Sequence, residues 1–261
     1  MLLNSNNPQH KNILSAKERL EKQAEPLFIT VGGSRAYCLN TLSSDTDLRG
    51  IFMEPVESLF GLKEPYGSIS FDSPGIDAQF FSLKQFFKLC MKGSPNGLEL
   101  LYIPADQYVS MHIFFCDVIA NRSLFLGKQA IYDAFMGFAK SQKNKTAKEL
   151  ASGNVKKAAK SQMHTVRLYM QGTDLFTYGG MTVRRMSSDI HFLMKIREGA
   201  MLRRDASGSY CEKEQFTALL EDMENKLRTT YLRSSLPDKA NAQALDKLLQ
   251  KISKEYYREK L

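Results

Sequence analysis

Long apolar runs, paired cysteines and low-complexity tracts are all missing from this chain of 261 residues. No stretch approaches the ~20 consecutive apolar residues that crossing a bilayer requires, so no membrane-spanning helix is expected. Only four cysteines occur, Cys38, Cys90, Cys116 and Cys211, and none stands in a Cys-x-x-Cys pair. They suggest neither a disulfide framework nor a zinc site; with no signal peptide ahead of them, they point to a reducing, cytoplasmic compartment. The four histidines, His10, His112, His164 and His191, do not cluster either. No internal repeat interrupts the pattern, and a compact chain is expected throughout.

The balance of what is present describes an ordinary globular protein, with 43% hydrophobic and 25% charged residues. Charge is the exception. A net charge of +8 favours polyanionic partners, whether nucleotide or nucleic acid.

One segment carries most of the chemistry: Val31-Gly-Gly-Ser34-Arg-Ala-Tyr37, followed by Ser44-Asp45-Thr46-Asp47-Leu48-Arg49-Gly50. Phe28 to Val31 reads as a short buried strand that Gly32, Gly33 and Ser34 break. A helix starting after Ser34 would turn its first N–H groups and the positive end of its dipole toward an anion. Gly32 and Gly33 let a phosphate approach without a Cβ in the way, and Ser34 adds a hydroxyl donor. If Asp45 to Met53 is a strand, Asp45 and Asp47 share a face about 7 Å apart at the backbone. Carboxylates so placed can share hard divalent cations, and two such ions suit an in-line displacement at phosphorus. Each half has a plainer reading: Ser34 as a helix N-cap, and Asp-x-Asp as a solvated strand.

Punctuation and periodicity order the remainder. Residues 1 to 10 are polar and loose, and Asn12 to Lys22 reads as a helix. A strand-rich part runs to about residue 81. Leu83, Phe86, Phe87, Leu89 and Cys90 sit at helical spacing, ended by Gly93-Ser94-Pro95. A boundary falls near residue 110, dividing a catalytic core, residues 1–110, from a helical C-terminal domain, residues 111–261. The stripe Leu245, Leu248, Leu249, Ile252, Tyr256 and Tyr257 marks a last helix packed on its own domain.

Gly33-Ser34 followed by Asp45-x-Asp47 resembles the signature of the DNA polymerase β-like nucleotidyltransferase superfamily. More narrowly, GSRAY and SDTDLRG resemble the predicted nucleotidyltransferases associated with RNA repair in bacteria and phages. Similarity extends to Ile76–Ala78, Ser82–Phe86, Ser94–Leu101, His164–Leu168 and Ile196–Gly199, covering roughly residues 25 to 200. One departure is Cys38, where the group usually has a second glycine. The resemblance implies an α/β (α+β) fold, a mixed sheet followed by an α-helical C-terminal region. It implies a third carboxylate on a neighbouring strand, for which Asp77 is favoured over Asp72, the latter preceding a Ser-Pro-Gly turn. Asp45, Asp47 and Asp77 would then be both metal ligands and catalytic residues, with Mg²⁺ or, in its place, Mn²⁺.

A basic stripe, Lys157, Lys160, His164 and Arg167, is spaced 3, 4 and 3 apart and falls on one helix face. A triphosphate lying over Gly33 and Ser34 is one anion that could neutralise it, and a solvated face is the alternative. Lys140, Lys143, Lys145 and Lys148, and also Arg184, Arg185 and Arg197, are further candidates for polyanion contact. Arg49 flanks the aspartates and could pair with one of them; Tyr37 could stack on a base or pack the helix. The function expected is metal-dependent transfer of a nucleoside monophosphate from an NTP to a hydroxyl, with an RNA 3′ end, that of a tRNA included, as acceptor. Transfer to a protein or small-molecule hydroxyl, and a catalytically silent RNA-binding module, are the competing readings.

Overall fold

A computed structural model of the chain describes residues 8–258 and 260–261, so the polar start at residues 1 to 7 lies outside the described residues. Helix α1 spans Pro8–Glu21 and is followed by strand β1, Glu25–Val31. A single helical turn, α2, occupies Gly33–Ala36, and β2 runs Thr46–Met53. Next come α3 (Val56–Phe60), β3 (Ser68–Ser73), β4 (Ile76–Ser82), α4 (Leu83–Met91) and α5 (Pro95–Leu100). Strand β5 (Tyr108–Met111) and helix α6 (Ile113–Ala120) close this stretch. The remainder is α7 (Lys128–Ala151), α8 (Val155–Tyr178), α9 (Ser187–Arg197), β6 (Leu202–Arg204), β7 (Tyr210–Glu212), α10 (Glu214–Arg233) and α11 (Ala242–Tyr257).

The five larger strands form one mixed sheet in the order β3-β4-β2-β1-β5. Strand β1 is antiparallel to β2 and β5, whereas β2 and β4 run parallel, joined by a crossover that carries α3 and β3. Alternation along the strands sorts the faces. Ile29, Val31, Leu48, Phe52, Ile69, Ile76, Ala78 and Phe80 pack against Ile13, Ala16 and Leu20 of α1. On the other face, Phe28 stacks on Phe115 of α6 with centroids 4.5 Å apart, and Phe86 of α4 joins the same aromatic group. Gly50 is the point of closest packing in β2: a Cβ there would come within 2.2 Å of the Phe28 carbonyl oxygen.

Two compact units emerge. The first comprises the chain up to Met91, Asn96–Phe125 and Ala240–Leu261; the second comprises Lys92–Pro95 and Leu126–Lys239. The expected boundary near residue 110 therefore falls inside the first unit, for two physical reasons. Tyr108–Met111 is an edge strand hydrogen-bonded to β1, a pairing that four residues without strict alternation do not announce. The last helix also returns to the first unit: Leu245, Ile252, Tyr256 and Tyr257 are buried, and the Tyr257 hydroxyl donates to the Glu54 carbonyl at 2.7 Å.

The second unit is helical, built on α7, α8 and α10, with Phe135 of α7 and Leu227 of α10 closing on Gly172 of α8. It departs from an all-helical expectation in the β6–β7 hairpin, whose turn is held by the Asp205 carboxylate accepting from the Ser207 and Ser209 backbones. Among the described residues no helix is long and apolar enough to cross a membrane.

Candidate active site

The Gly-Gly-Ser turn ends β1 and folds over the start of β2. Gly32 donates its N–H to the Asp47 carbonyl at 2.8 Å, tying the turn to the strand that carries the aspartates. Gly33 has φ +56, and a Cβ built on it would lie 1.8 Å from Asp47 Oδ2. A Cβ on Gly32 would meet Arg49 Cγ at 3.1 Å. Both glycines are thus needed for the same reason: the side chains of Asp47 and Arg49 fill the space that a Cβ would take.

The helix expected after Ser34 is only the four residues of α2, too short for aligned peptide dipoles to sum. Its N-cap is Gly32 with no side-chain cap, so Ser34 is not the capping residue. The chain then turns through Cys38, which has φ +58 and is the non-glycine residue with positive φ among those described. A glycine, which the family resemblance implies at this point, would carry no such cost: left-handed backbone strains an L side chain by roughly 1–2 kcal/mol. Cys38→Gly should therefore stabilise the protein by up to about 1 kcal/mol, since greater chain entropy when unfolded offsets part of the relief. A rise in denaturant midpoint at unchanged slope would show it, and an unchanged midpoint would mean the surroundings absorb the strain.

The loop that delivers Asp45 is pinned at several points. Arg35 Nη2 donates to the Ser44 carbonyl at 3.1 Å, the Thr41 N–H donates to Ser44 Oγ at 2.9 Å, and the Thr46 N–H donates to the Gly75 carbonyl at 2.9 Å. Arg35 is thereby a loop tie. Tyr37 is buried and its hydroxyl donates to Glu99 Oε2, so it packs rather than presenting a ring to a base. Burial pushes the Glu99 carboxyl up to about 8, which keeps it largely protonated at neutral pH.

Parallel pairing of β2 and β4 sets Asp77 directly opposite Asp47, and antiparallel pairing sets Asp72 opposite Asp77 on β3. Three aspartates thus lie in one row on one face, with Asp77 adjacent to Asp47 and Asp72 one strand farther out. Asp72 lies within β3, just ahead of the Pro74-Gly75 turn. Strand β2 begins at Thr46, so Asp45 stands exposed just before it instead of within it. The guanidinium of Arg49 joins the row: Nη2 donates to Asp47 Oδ1 at 3.0 Å and to Asp77 Oδ2 at 2.9 Å. Among the described residues no three His, Cys, Asp or Glu side chains are gathered ready for a metal ion. The donor set nonetheless suits a hard divalent cation, being carboxylate oxygens around a spot that already accepts a positive charge.

The residues of the basic stripe belong to the second unit. Helix α8 carries all four, but burial divides them. Lys157 and Lys160 are exposed, whereas His164 and Arg167 are partly covered. Burial, then the charges of Lys160, Arg197 and Lys145, push the His164 imidazole down to about 4, so it is neutral at pH 7. Its Nδ1 accepts from Arg167 Nη2 at 3.3 Å, since a guanidinium can only donate. Burial, and then Arg185, lower Arg167 to about 9. Two other cations are committed internally: Lys143 pairs with Glu224 at 2.9 Å, and Arg185 with Asp174 at 2.8 Å.

A mixed sheet with a glycine turn over an aspartate row, helices on both faces and a helical region after it in the chain is the α/β fold that the sequence resemblance implies. The comparisons with known proteins narrow the class. The model of the RNA repair pathway DNA polymerase beta family, RlaP, matches residues 10–251, and the chain belongs to that family. The chain is similar, at 29% identity over 126 residues, to an uncharacterized 38.9 kDa protein in the nrdC-mobD intergenic region of Enterobacteria phage T4. The match covers 43% of this chain and 36% of the phage protein, so the chain spans about a third of that relative's length. A nucleotidyltransferase-like protein from Exiguobacterium sibiricum 255-15 is similar over 98% of this chain and 92% of its own, at 10% identity and a TM-score of 0.31. That likeness is too weak to bear on function.

Proposed function

We propose that this protein transfers a nucleoside monophosphate from an NTP to a hydroxyl at the 3′ end of an RNA, possible acceptors including tRNA, and releases pyrophosphate. The observation that carries the reading is the placement of Asp47 and Asp77 side by side on neighbouring strands beneath the Gly33 turn. Asp45, Asp47 and Asp77 would hold Mg²⁺, or Mn²⁺ in its place. When bound, the metal supplies stabilisation of charge on the attacking and leaving oxygens. The backbone of the Gly33 turn and the Ser34 hydroxyl would donate to the triphosphate beside the Asp47 carboxylate, which packs against Gly33. The acceptor oxygen attacks the α-phosphorus, the bond to the bridging α–β oxygen breaks, and the acceptor proton passes to a carboxylate of the row or to water.

An RNA acceptor is supported by the family's association with RNA repair and by the net charge of +8. Of the four stripe residues on α8, Lys157 and Lys160 are exposed and free to meet phosphates. Four cysteines without a disulfide favour a reducing, cytoplasmic setting.

The test is incubation with Mg²⁺, total cellular RNA and each α-³²P-NTP in turn. Label should appear on RNA, and RNA binding should weaken with salt, with a slope of about −0.7 per phosphate contacted. Label on protein or on a small molecule, with none on RNA, would replace the acceptor while keeping the chemistry. Binding to RNA with no transfer under any NTP would favour a silent module.

A further inference from the structure

Arg49 is built into the aspartate row more firmly than a surface ion pair requires. Its partners across the sheet at its own register, Thr30 on β1 and Gln79 on β4, are neutral, so its charge is directed one row along to Asp47 and Asp77. Its stem lies against Gly32, where a Cβ would come within 3.1 Å of Cγ. At the far end, Nη1 donates to the Asp77 carbonyl at 2.7 Å and to the Leu48 carbonyl at 3.0 Å, while Nη2 bridges the two carboxylates. Backbone acceptors hold the fork in position and the carboxylates face it. Only 22% of the Arg49 side chain is exposed, against 55% of Asp77.

We infer that Arg49 is the resident cation of this site, a built-in competitor that a divalent ion must displace from Asp47 and Asp77. The inference rests on the reading of these aspartates as metal ligands. Two carboxylates and one guanidinium sum to −1 with Arg49 in place. A dication added without displacing it would bring two cations against one another on the same two carboxylates, at a separation where Coulomb repulsion is large. The carboxylates can serve one or the other. Arg49 therefore keeps the row from repelling itself when no metal is bound, at the cost of weaker metal affinity. Once displaced, the guanidinium is a planar donor suited to phosphate oxygens, and the nucleotide can accept it.

Mn²⁺ binding to the nucleotide-free protein tests this, by calorimetric or electron-paramagnetic titration of wild type, Arg49→Gln, Arg49→Lys and Asp47→Asn. Charge-assisted pairs at partly exposed carboxylates are worth roughly 1 kcal/mol or slightly more in total, so Arg49→Gln should bind Mn²⁺ about tenfold tighter than wild type. Arg49→Lys, which keeps the charge and loses the fork, should fall between them. Thermal unfolding gives a second readout: Mn²⁺ should raise the melting temperature of Arg49→Gln by more than that of wild type. A purely structural ion pair would leave Mn²⁺ affinity where it was. Equal or weaker binding by Arg49→Gln, with Asp47→Asn abolishing it, overturns the role of Arg49 and leaves the metal site standing. No Mn²⁺ binding by wild type or Arg49→Gln overturns both.

Discussion

Asp45→Ala/Asp47→Ala is expected to lower nucleotidyl transfer by on the order of 10³-fold while the protein stays folded, since metal-assisted charge stabilisation supplies several kcal/mol of the barrier reduction. The fold should survive because neither side chain supports the core. Asp45 is exposed ahead of β2, and Asp47 contributes one partly exposed ion pair with Arg49. Strand β2 is held instead by Leu48, Ile51 and Phe52, each fully buried, and by hydrogen bonding to β1 and β4. Losing the ion pair costs at most about 1 kcal/mol after solvent screening, and Arg49 keeps Asp77 as partner. Transfer of α-³²P label and thermal unfolding by circular dichroism, measured on the same preparation, separate the two effects. A folded double variant with near wild-type transfer would sink the assignment of these aspartates.

Gly33→Ala should be the most damaging single-methyl change at the site. The added Cβ would stand 1.8 Å from Asp47 Oδ2 and 2.8 Å from Asp47 Cβ, so the collision is with the base of the side chain as well as its tip. Rotation of the carboxylate alone cannot relieve it; the turn or the strand has to shift. The left-handed φ of +56 adds strain of roughly 1–2 kcal/mol. A displacement of about 1 Å in a reacting group can cost on the order of 10²-fold in rate, and a loss of that size is expected here. Gly67→Ala provides the control, because φ there is +63 while a Cβ would meet nothing within 4 Å. It should lower stability by a similar strain and leave transfer unchanged. Equal transfer in the two variants would show that the Gly33 turn is not at the reacting groups.

The elements most legible in the sequence were those encoded over short range. The run from Phe28 to Val31, its termination at Gly32 and Gly33, and the apolar stripe of α11 each follow from neighbours within a few residues, which is the range over which periodicity and turn chemistry act. Strand β5 was hidden for the opposite reason. Tyr108–Met111 is short and gains its hydrogen bonds from β1, some eighty residues earlier in the chain. The helical turn α2 was overestimated as an anion-binding helix, because nothing local distinguishes a single turn from the first turn of a longer helix.

Residue chemistry and spacing by themselves determined that a glycine turn precedes an Asp-x-Asp pair at the start of a strand, and that the chain is basic and rich in helix after its sheet. The family resemblance, rather than residue chemistry, marked Cys38 as a departure. Tertiary structure decided what these groups face. Asp77 stands beside Asp47 because β2 and β4 pair in parallel register across thirty residues of chain, a relation no local pattern encodes. Arg49 turns toward both aspartates because its neighbours across the sheet are neutral and Gly32 leaves room for its stem. The stripe on α8 keeps its helical spacing but not its uniform charge, because burial disfavours a proton on His164 and leaves Lys157 and Lys160 in water. Register and desolvation depend on what packs from elsewhere in the chain, and that is why only the folded molecule reveals them.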